Sequence, residues 1–252
     1  MSVHSLGQAA WTDLEGKGPH RLLIPVGSLE QHGPHLPLST DTDIAGHVAQ
    51  RVRAELNASA PEVATWWTTP PIWTGASGEH EGFPGTLSIG TDALTHLLIE
   101  LGRSATRFAE RVILVNGHGG NVQALRAACT LLISEGRHVS WVPCAPVDDP
   151  SLPGDLDAHA GYLETSIQLA LQPEQVRSGA LEVGATEPLA TLLPRLTAHG
   201  VRAVSHNGIL GDPRAASAAD GRVLLETMVT RVLERIRRSE AGADGMLQDA
   251  PR

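Results

Sequence analysis

The sequence predicts an α/β protein, a parallel sheet with helices packed on both of its faces. Three short runs, at 22–26, 112–115 and 139–142, have the unbroken hydrophobicity of strands buried on both sides. Between and after them lie longer stretches whose apolar residues recur at helical spacing. No repeat or low-complexity linker divides the 252 residues, and 41% are apolar, enough for a full core. The expectation is therefore one domain over 1–238, followed by a flexible tail over 239–252. Aromatic residues make up only 3%, so Leu, Val, Ile and Ala must fill most of that core.

The elements follow in order. After the strand at 22–26, Ile44, Val48, Val52 and Leu56 predict a helix over 42–56. Val63, Trp66 and Trp67 predict an extended segment over 62–68. Residues 70–90 are rich in Gly and Pro and predict a long ordered loop. Leu94, Leu97, Leu98, Leu101 and Phe108 predict a helix over 91–110, with Thr91 and Asp92 suited to its start. Further helices are expected at 122–135, 161–171, 184–200 and 215–238.

Composition excludes several functions. The net charge is −9 and the densest basic run is Arg235-Ile236-Arg237-Arg238, so no basic face exists to track a nucleic-acid backbone. Residues 1–10 lack the apolar core of a signal peptide, and no apolar stretch approaches the roughly 20 residues that span a bilayer. Cys129 and Cys144 read as free thiols of a reducing compartment. The expectation is a cytoplasmic protein with neither membrane nor nucleic acid as partner.

Chemistry concentrates after the first strand. Glu30, His32 and Asp41 leave one strand end within fourteen residues, separated by the stiff, apolar Leu36-Pro37-Leu38. Carboxylates and imidazole are oxygen and nitrogen ligands for a divalent metal. Ligands in parallel sheets collect at the carboxyl ends of strands. The strand at 112–115 runs into Asn116-Gly117-His118-Gly119-Gly120-Asn121, so if the two strands are neighbours His118 lands beside Glu30, His32 and Asp41. His159 and Glu164 stand five apart around a helix start and can face one point. The loop at 77–86, with Trp66, Trp67 or Trp73, is the expected wall of a substrate pocket.

Each feature has a plainer reading. His4, His20, His47, His138, His199 and His206 read as surface or hydrogen-bonded histidines. His35 reads as a partner of a carboxylate or of backbone, and Asp43 as an alternative ligand or an acid at a helix N-terminus. Gly119-Gly120 could cradle a phosphate, but the Lys and Ser/Thr of a P-loop are missing. Ser28 and Ser77 lack a nucleophile elbow.

Four stretches, in order, resemble the signatures of the creatininase family of metal-dependent amidohydrolases. They are the run from Val26 to Leu38 with Thr40-Asp41, Glu79-His80 with Phe83-Pro84-Gly85-Thr86, the run from Asn116 to Asn121, and His159-Ala160-Gly161 with Glu164-Thr165-Ser166. The resemblance implies a three-layer α/β/α sandwich with a mostly parallel central sheet, hydrolysis of a C–N bond, and a homo-oligomer, commonly a hexamer. It implies one or two divalent ions per subunit, zinc, iron or manganese. Glu30 and His118 would hold one ion and His32 the other, with Asp41 bridging and His159 as acid/base. Ser77, Glu79, His80, Gly119 and Gly120 would lie on the substrate side. Where creatininase carries a glutamate ligand this chain has Gly120, and Glu164 is the candidate replacement, as ligand or as catalytic partner orienting His159. Segments 192–196, 200–205, 207–213 and 216–218 resemble a branch of peptidases that trim a modified ribosomal precursor peptide and release its C-terminal, Val-Tyr-derived dipeptide. Two alternatives stand beside that one: an amidohydrolase of a small cyclic amide or formamide, and a metal-binding scaffold without catalysis.

Overall fold

Alternation along the strands decides the layers. The computed structural model describes residues 5–146, 157–238 and 240–249. Strands β1 (His20–Val26), β2 (Thr65–Thr68), β3 (Ala109–Asn116) and β4 (Val139–Pro143) form one sheet in the order β2-β1-β3-β4. Every pairing is parallel. Six α-helices are described: α1 (Thr40–Ser59), α2 (Gly90–Ala105), α3 (Val122–Ser134), α4 (Tyr162–Leu171), α5 (Leu189–His199) and α6 (Ala218–Arg238).

Successive strand residues point to opposite faces. Leu23, Ile113, Val115 and Val142 accordingly meet Ile44 and Val48 of α1, Ile167 of α4 and Leu224 and Met228 of α6. Leu22, Ile24, Val112, Leu114 and Trp141 meet Leu94 and Leu98 of α2 and Leu125 and Leu132 of α3. The result is the expected three-layer α/β/α sandwich. Leu23, Ile113 and Leu125 are wholly buried, and each such side chain contributes about 2 kcal/mol through removal from water.

Register sets the position of the site. Val26 is level with Asn116, and Asn116 with Pro143, so β1, β3 and β4 end in line and their following loops leave side by side. The 70–89 segment is an ordered loop with isolated bridges at Ile72 and Leu87 and a 3-10 turn at Gly78–His80, and α2 follows from Gly90.

Three expectations are corrected. The helix expected over 91–110 stops at Ala105, where Thr106 closes the last turn through its N–H and hydroxyl onto Gly102. The chain then enters β3, where Glu110 pairs with Arg21 of the adjacent strand. Only Leu189–His199 of the helix expected over 184–200 forms, because the N–H groups of Gly184 and Ala185 bond to the carbonyls of Gly211 and Ile209 instead. The segment after α6, expected to fray, is packed over 240–249. Leu247 is 1% exposed, the N–H of Trp141 bonds to Gly245, that of Leu247 bonds to Trp141, and Asp249 pairs with Arg231 and Arg235. Here the backbone covers the otherwise open edge of β4. Residues 250–252 of that tail lie outside the described residues. Among the described residues no helix is long and apolar enough to cross a membrane.

Candidate metal centre

Two glycines at strand ends allow the site to close. A Cβ on Gly27 would stand 2.4 Å from Thr42 Cα, and one on Gly117 would stand 2.4 Å from the Asp41 carbonyl oxygen. Without side chains there, the first turn of α1 packs directly against both strand ends and delivers Asp41 between them. The Thr42 hydroxyl secures this contact by donating to the Ser28 carbonyl at 2.7 Å. Asn121 ties three loops together. Its amide nitrogen donates to Gly27 O at 2.9 Å and to Asn116 Oδ1 at 3.2 Å, and its oxygen accepts the Ala76 N–H at 2.9 Å.

The predicted ligands converge. Asp41 Oδ1 lies 3.3 Å from His32 Nε2, while Asp41 Oδ2 lies 3.1 Å from His118 Nδ1. Glu30 Oε2 is 3.2 Å from His118 Nε2, and Glu164 Oε2 is 3.7 Å from His32 Nε2. His159 Nδ1 stands 3.9 Å from Glu30 and 4.0 Å from Glu164. Three sets of three residues could each hold an ion: Glu30, Asp41 and His118; His32, Asp41 and Glu164; Glu30, His32 and His159. Asp41 belongs to two of these sets and faces them with different oxygens.

Burial sets the electrostatics. It pushes the carboxyls of Glu30 and Glu164 up to about 7 against the pull of His118 and His32. At His32 and His118 burial acts to lower the pKa, but Asp41 and Glu30 outweigh it and raise both rings to about 10. Asp41 is held well below the usual carboxylate range because His32 and His118 overcome its own burial. Burial, aided by His32 and a second ring, pushes His159 well down and His80 to about 3. Glu30 is 0% exposed, and neither of its carboxylate oxygens has a hydrogen-bond partner of good geometry among the described residues. A buried carboxylate left so is costly. A divalent cation would supply the missing charge, and the mixed N/O donor set suits zinc, manganese or iron. These residues fit the implied metals.

The remaining predicted residues take distinct places. Glu79, His80, Gly119 and Gly120 line a cleft of about 770 Å³ together with Asp41, His118, His159 and Glu164. Its far wall is apolar, from Leu189, Leu193 and Leu196 of α5. Ser77 is buried behind the cleft, and its hydroxyl favours the charged form of Glu30. Gly120 leaves no hole. A Cβ there would stand 2.3 Å from Ala76 O, 2.5 Å from His118 Nε2 and 2.7 Å from Glu79 Oε1, so the Glu79 carboxylate reaches into the space a side chain at 120 would need.

Some sequence readings change. Trp66 and Trp67, adjacent on a strand, point into the two opposite cores, and Trp73 is 54% exposed. None of the three lines the cleft. His35 bonds the Thr165 hydroxyl at 2.8 Å in place of a carboxylate or backbone. Asp43 bonds Ser39 in the first turn of α1, so Asp41 is the acid that faces the centre. Cys129 and Cys144 are free, and burial pushes each thiol up to about 12. Three residues to which the sequence reading gave no role of their own support the site: Gln31, Asn121, and Asp157, whose carboxylate accepts N–H groups from Tyr162 and Leu163 at the start of α4. Beside a glycine Asn121 reads as a turn residue, and nothing in the sequence around Gln31 or Asp157 shows which groups they reach.

Comparison with known proteins shows the family. The family model described as creatininase, creatinine amidohydrolase, matches residues 7–236. A mycofactocin precursor peptide peptidase of Mycolicibacterium smegmatis is 53% identical over 226 residues, covering 90% of this chain and 88% of its own. A protein of the same description from Mycobacterium tuberculosis is 49% identical over 247 residues, covering 97% and 95%. A mutant creatininase structure of the Zn-Zn type superposes with a TM-score of 0.76 at 26% identity, covering 94% of this chain and 98% of its own. The chain is a member of the creatininase family of amidohydrolases.

Proposed function

We propose that this protein is a metal-dependent peptidase that cleaves the modified mycofactocin precursor peptide and releases its C-terminal, Val-Tyr-derived dipeptide. The observation that carries the metal-dependent chemistry is the fully buried Glu30 carboxylate, which forms no hydrogen bond of good geometry among the described residues, in a cluster open to a cleft. The relatives' identity of 49–53% over nearly the whole chain supports the substrate. The apolar α5 wall suits the Val- and Tyr-derived groups.

In this reading Glu30 and His118 would hold one ion, His32 and Glu164 would hold the other, and Asp41, which belongs to both sets, would serve each. Bound divalent ions lower the pKa of water and polarise the amide carbonyl. His159 moves the proton. Its Nε2 lies 2.8 Å from the Gln31 carbonyl, which can only accept, so Nε2 carries hydrogen and Nδ1 turns its lone pair to the centre. Nδ1 takes the proton of the attacking water and gives it to the leaving amine, which departs poorly as an anion. The backbone N–H groups of Gly119 and Gly120, on the cleft wall, are the donors for the tetrahedral oxyanion. Glu79 and His80 flank the substrate, and Ser77 supports Glu30 from behind. The family's homo-oligomeric assembly and a cytoplasmic setting complete the reading.

The test is metal analysis with a substrate panel. A peptide ending in the modified Val-Tyr unit should be cleaved only by metal-loaded protein, and His159→Ala should abolish turnover while retaining the ions. Hydrolysis of creatinine or of a formylamino-pyrimidine with the peptide left intact would overturn the substrate. Absence of any metal-dependent amide hydrolysis would overturn the enzyme.

A further inference from the structure

Between the ligands Glu30 and His32, the buried Gln31 side chain makes more polar contacts than either neighbour. Its Oε1 accepts the Gly33 N–H at 2.9 Å. That bond fixes the orientation of the carboxamide, because the reverse orientation would set an NH₂ group against the Gly33 N–H and an oxygen against the Gly208 carbonyl. Nε2 therefore faces Gly208 O at 3.1 Å and His80 Nδ1 at 2.9 Å. The Gly208 carbonyl can only accept and takes one amide hydrogen. The second hydrogen goes to His80 Nδ1, so His80 Nδ1 is bare and its proton sits on Nε2. His159 Nε2, 3.1 Å away, does not compete, since it already carries the hydrogen that it donates to the Gln31 carbonyl.

The His80 proton then lies where it matters. His80 Nε2 is 3.3 Å from Glu30 Oε1, while Glu30 Oε2 is 3.2 Å from His118. We propose that Gln31 is a positioning residue whose carboxamide holds His80 as the Nε2–H tautomer, so that the ring turns its N–H, and not a lone pair, toward the buried Glu30 carboxylate. The proposal rests on the metal-centre reading above, but its first readout needs neither metal nor substrate. Both the amide nitrogen and the length of glutamine are required: glutamate cannot donate, methionine can do neither, and asparagine is one carbon shorter.

Imidazole ¹⁵N–¹H correlation spectra of the folded, metal-free full chain, with His80 assigned by its loss in His80→Asn, read the tautomer directly. The wild type should show His80 protonated on Nε2 alone. Gln31→Met should leave the two tautomers mixed, and Gln31→Glu, which presents an acceptor, should move the proton to Nδ1. Manganese affinity of folded Gln31→Met should fall about 10- to 100-fold, the usual effect of removing a partner that orients a ligand. Two outcomes overturn the proposal: a wild-type His80 protonated on Nδ1, or the same His80 tautomer in the wild type and in both variants. A tautomer that shifts as expected with unchanged manganese affinity would overturn the link to Glu30. Failure of the peptide assay alone would touch only the proposed substrate.

Discussion

Metal loading of this centre should tighten steeply with pH. In the metal-free protein His32 and His118 are held up at about 10, because Asp41 and Glu30 outweigh the burial of the rings. Both are therefore imidazolium at pH 8, and a cation needs the neutral ring. Loading must release two protons from this pair. Each ion displaces the proton of one ring, which lowers its apparent Kd about tenfold per pH unit, so the affinity of each site should rise about tenfold between pH 8 and 9 and level off above about 10. The sign follows from the direction of the shift. A raised pKa favours the protonated ring, protons compete with the cation, and affinity is lost on the acid side. Below about 7 the carboxyls of Glu30 and Glu164 also take up protons, and the dependence should steepen further. Calorimetric titration of the metal-free protein with manganese, in two pH 8 buffers of different ionisation enthalpy, gives the proton count as the slope of observed against ionisation enthalpy. The expected value is about one per bound ion, hence about two per fully loaded chain. A count near zero, or a Kd that stays flat from pH 7.5 to 9, would refute the electrostatic account of the cluster.

Three further outcomes follow from particular contacts. Glu164→Gln should lower bound metal from two ions per chain to one in elemental analysis, since it weakens the His32–Asp41–Glu164 set and spares that of Glu30, Asp41 and His118. Gly120→Ala should destabilise the fold by about 1–3 kcal/mol through overpacking against the Ala76 carbonyl, whereas Gly119→Ala, with nothing near its Cβ, should melt close to wild type. Leu247→Ala should cost about 3 kcal/mol, because this side chain is 1% exposed. The corresponding fall in Tm is roughly 6–12 °C for a chain of this size; an unchanged Tm would mean that the tail does not pack as described.

The layers and half of the centre were legible in the sequence because the signals are local. Unbroken apolar runs define β1, β3 and β4, and Glu30, His32 and Asp41 lie within one loop and the helix turn that follows it. The approach of His118 followed from one assumption, that β1 and β3 are neighbours, and their aligned ends at Val26 and Asn116 bear it out. What failed to show was non-local. Trp66 and Trp67 looked like a pocket wall because adjacent aromatics suggest one patch, yet a strand's two-residue period sends them to opposite faces. The packing of Met246 and Leu247 needs the open edge of β4 as a partner, and two apolar residues among Gly, Ala and Asp give no strand signal by themselves.

Gly120 shows most clearly why a site can be read without its residues falling at fixed positions. From sequence the glycine is a missing carboxylate. In the fold the position is crowded, with Glu79 Oε1 2.7 Å from where its Cβ would stand and 3.7 Å from His118 Nε2. Glu164 lies on the other side, 3.7 Å from His32. A cation requires oxygens at set distances from it and is indifferent to which stretch of backbone supplies them. A carboxylate absent after β3 can therefore be supplied from α4, where Glu164 stands within reach of His32 and Asp41.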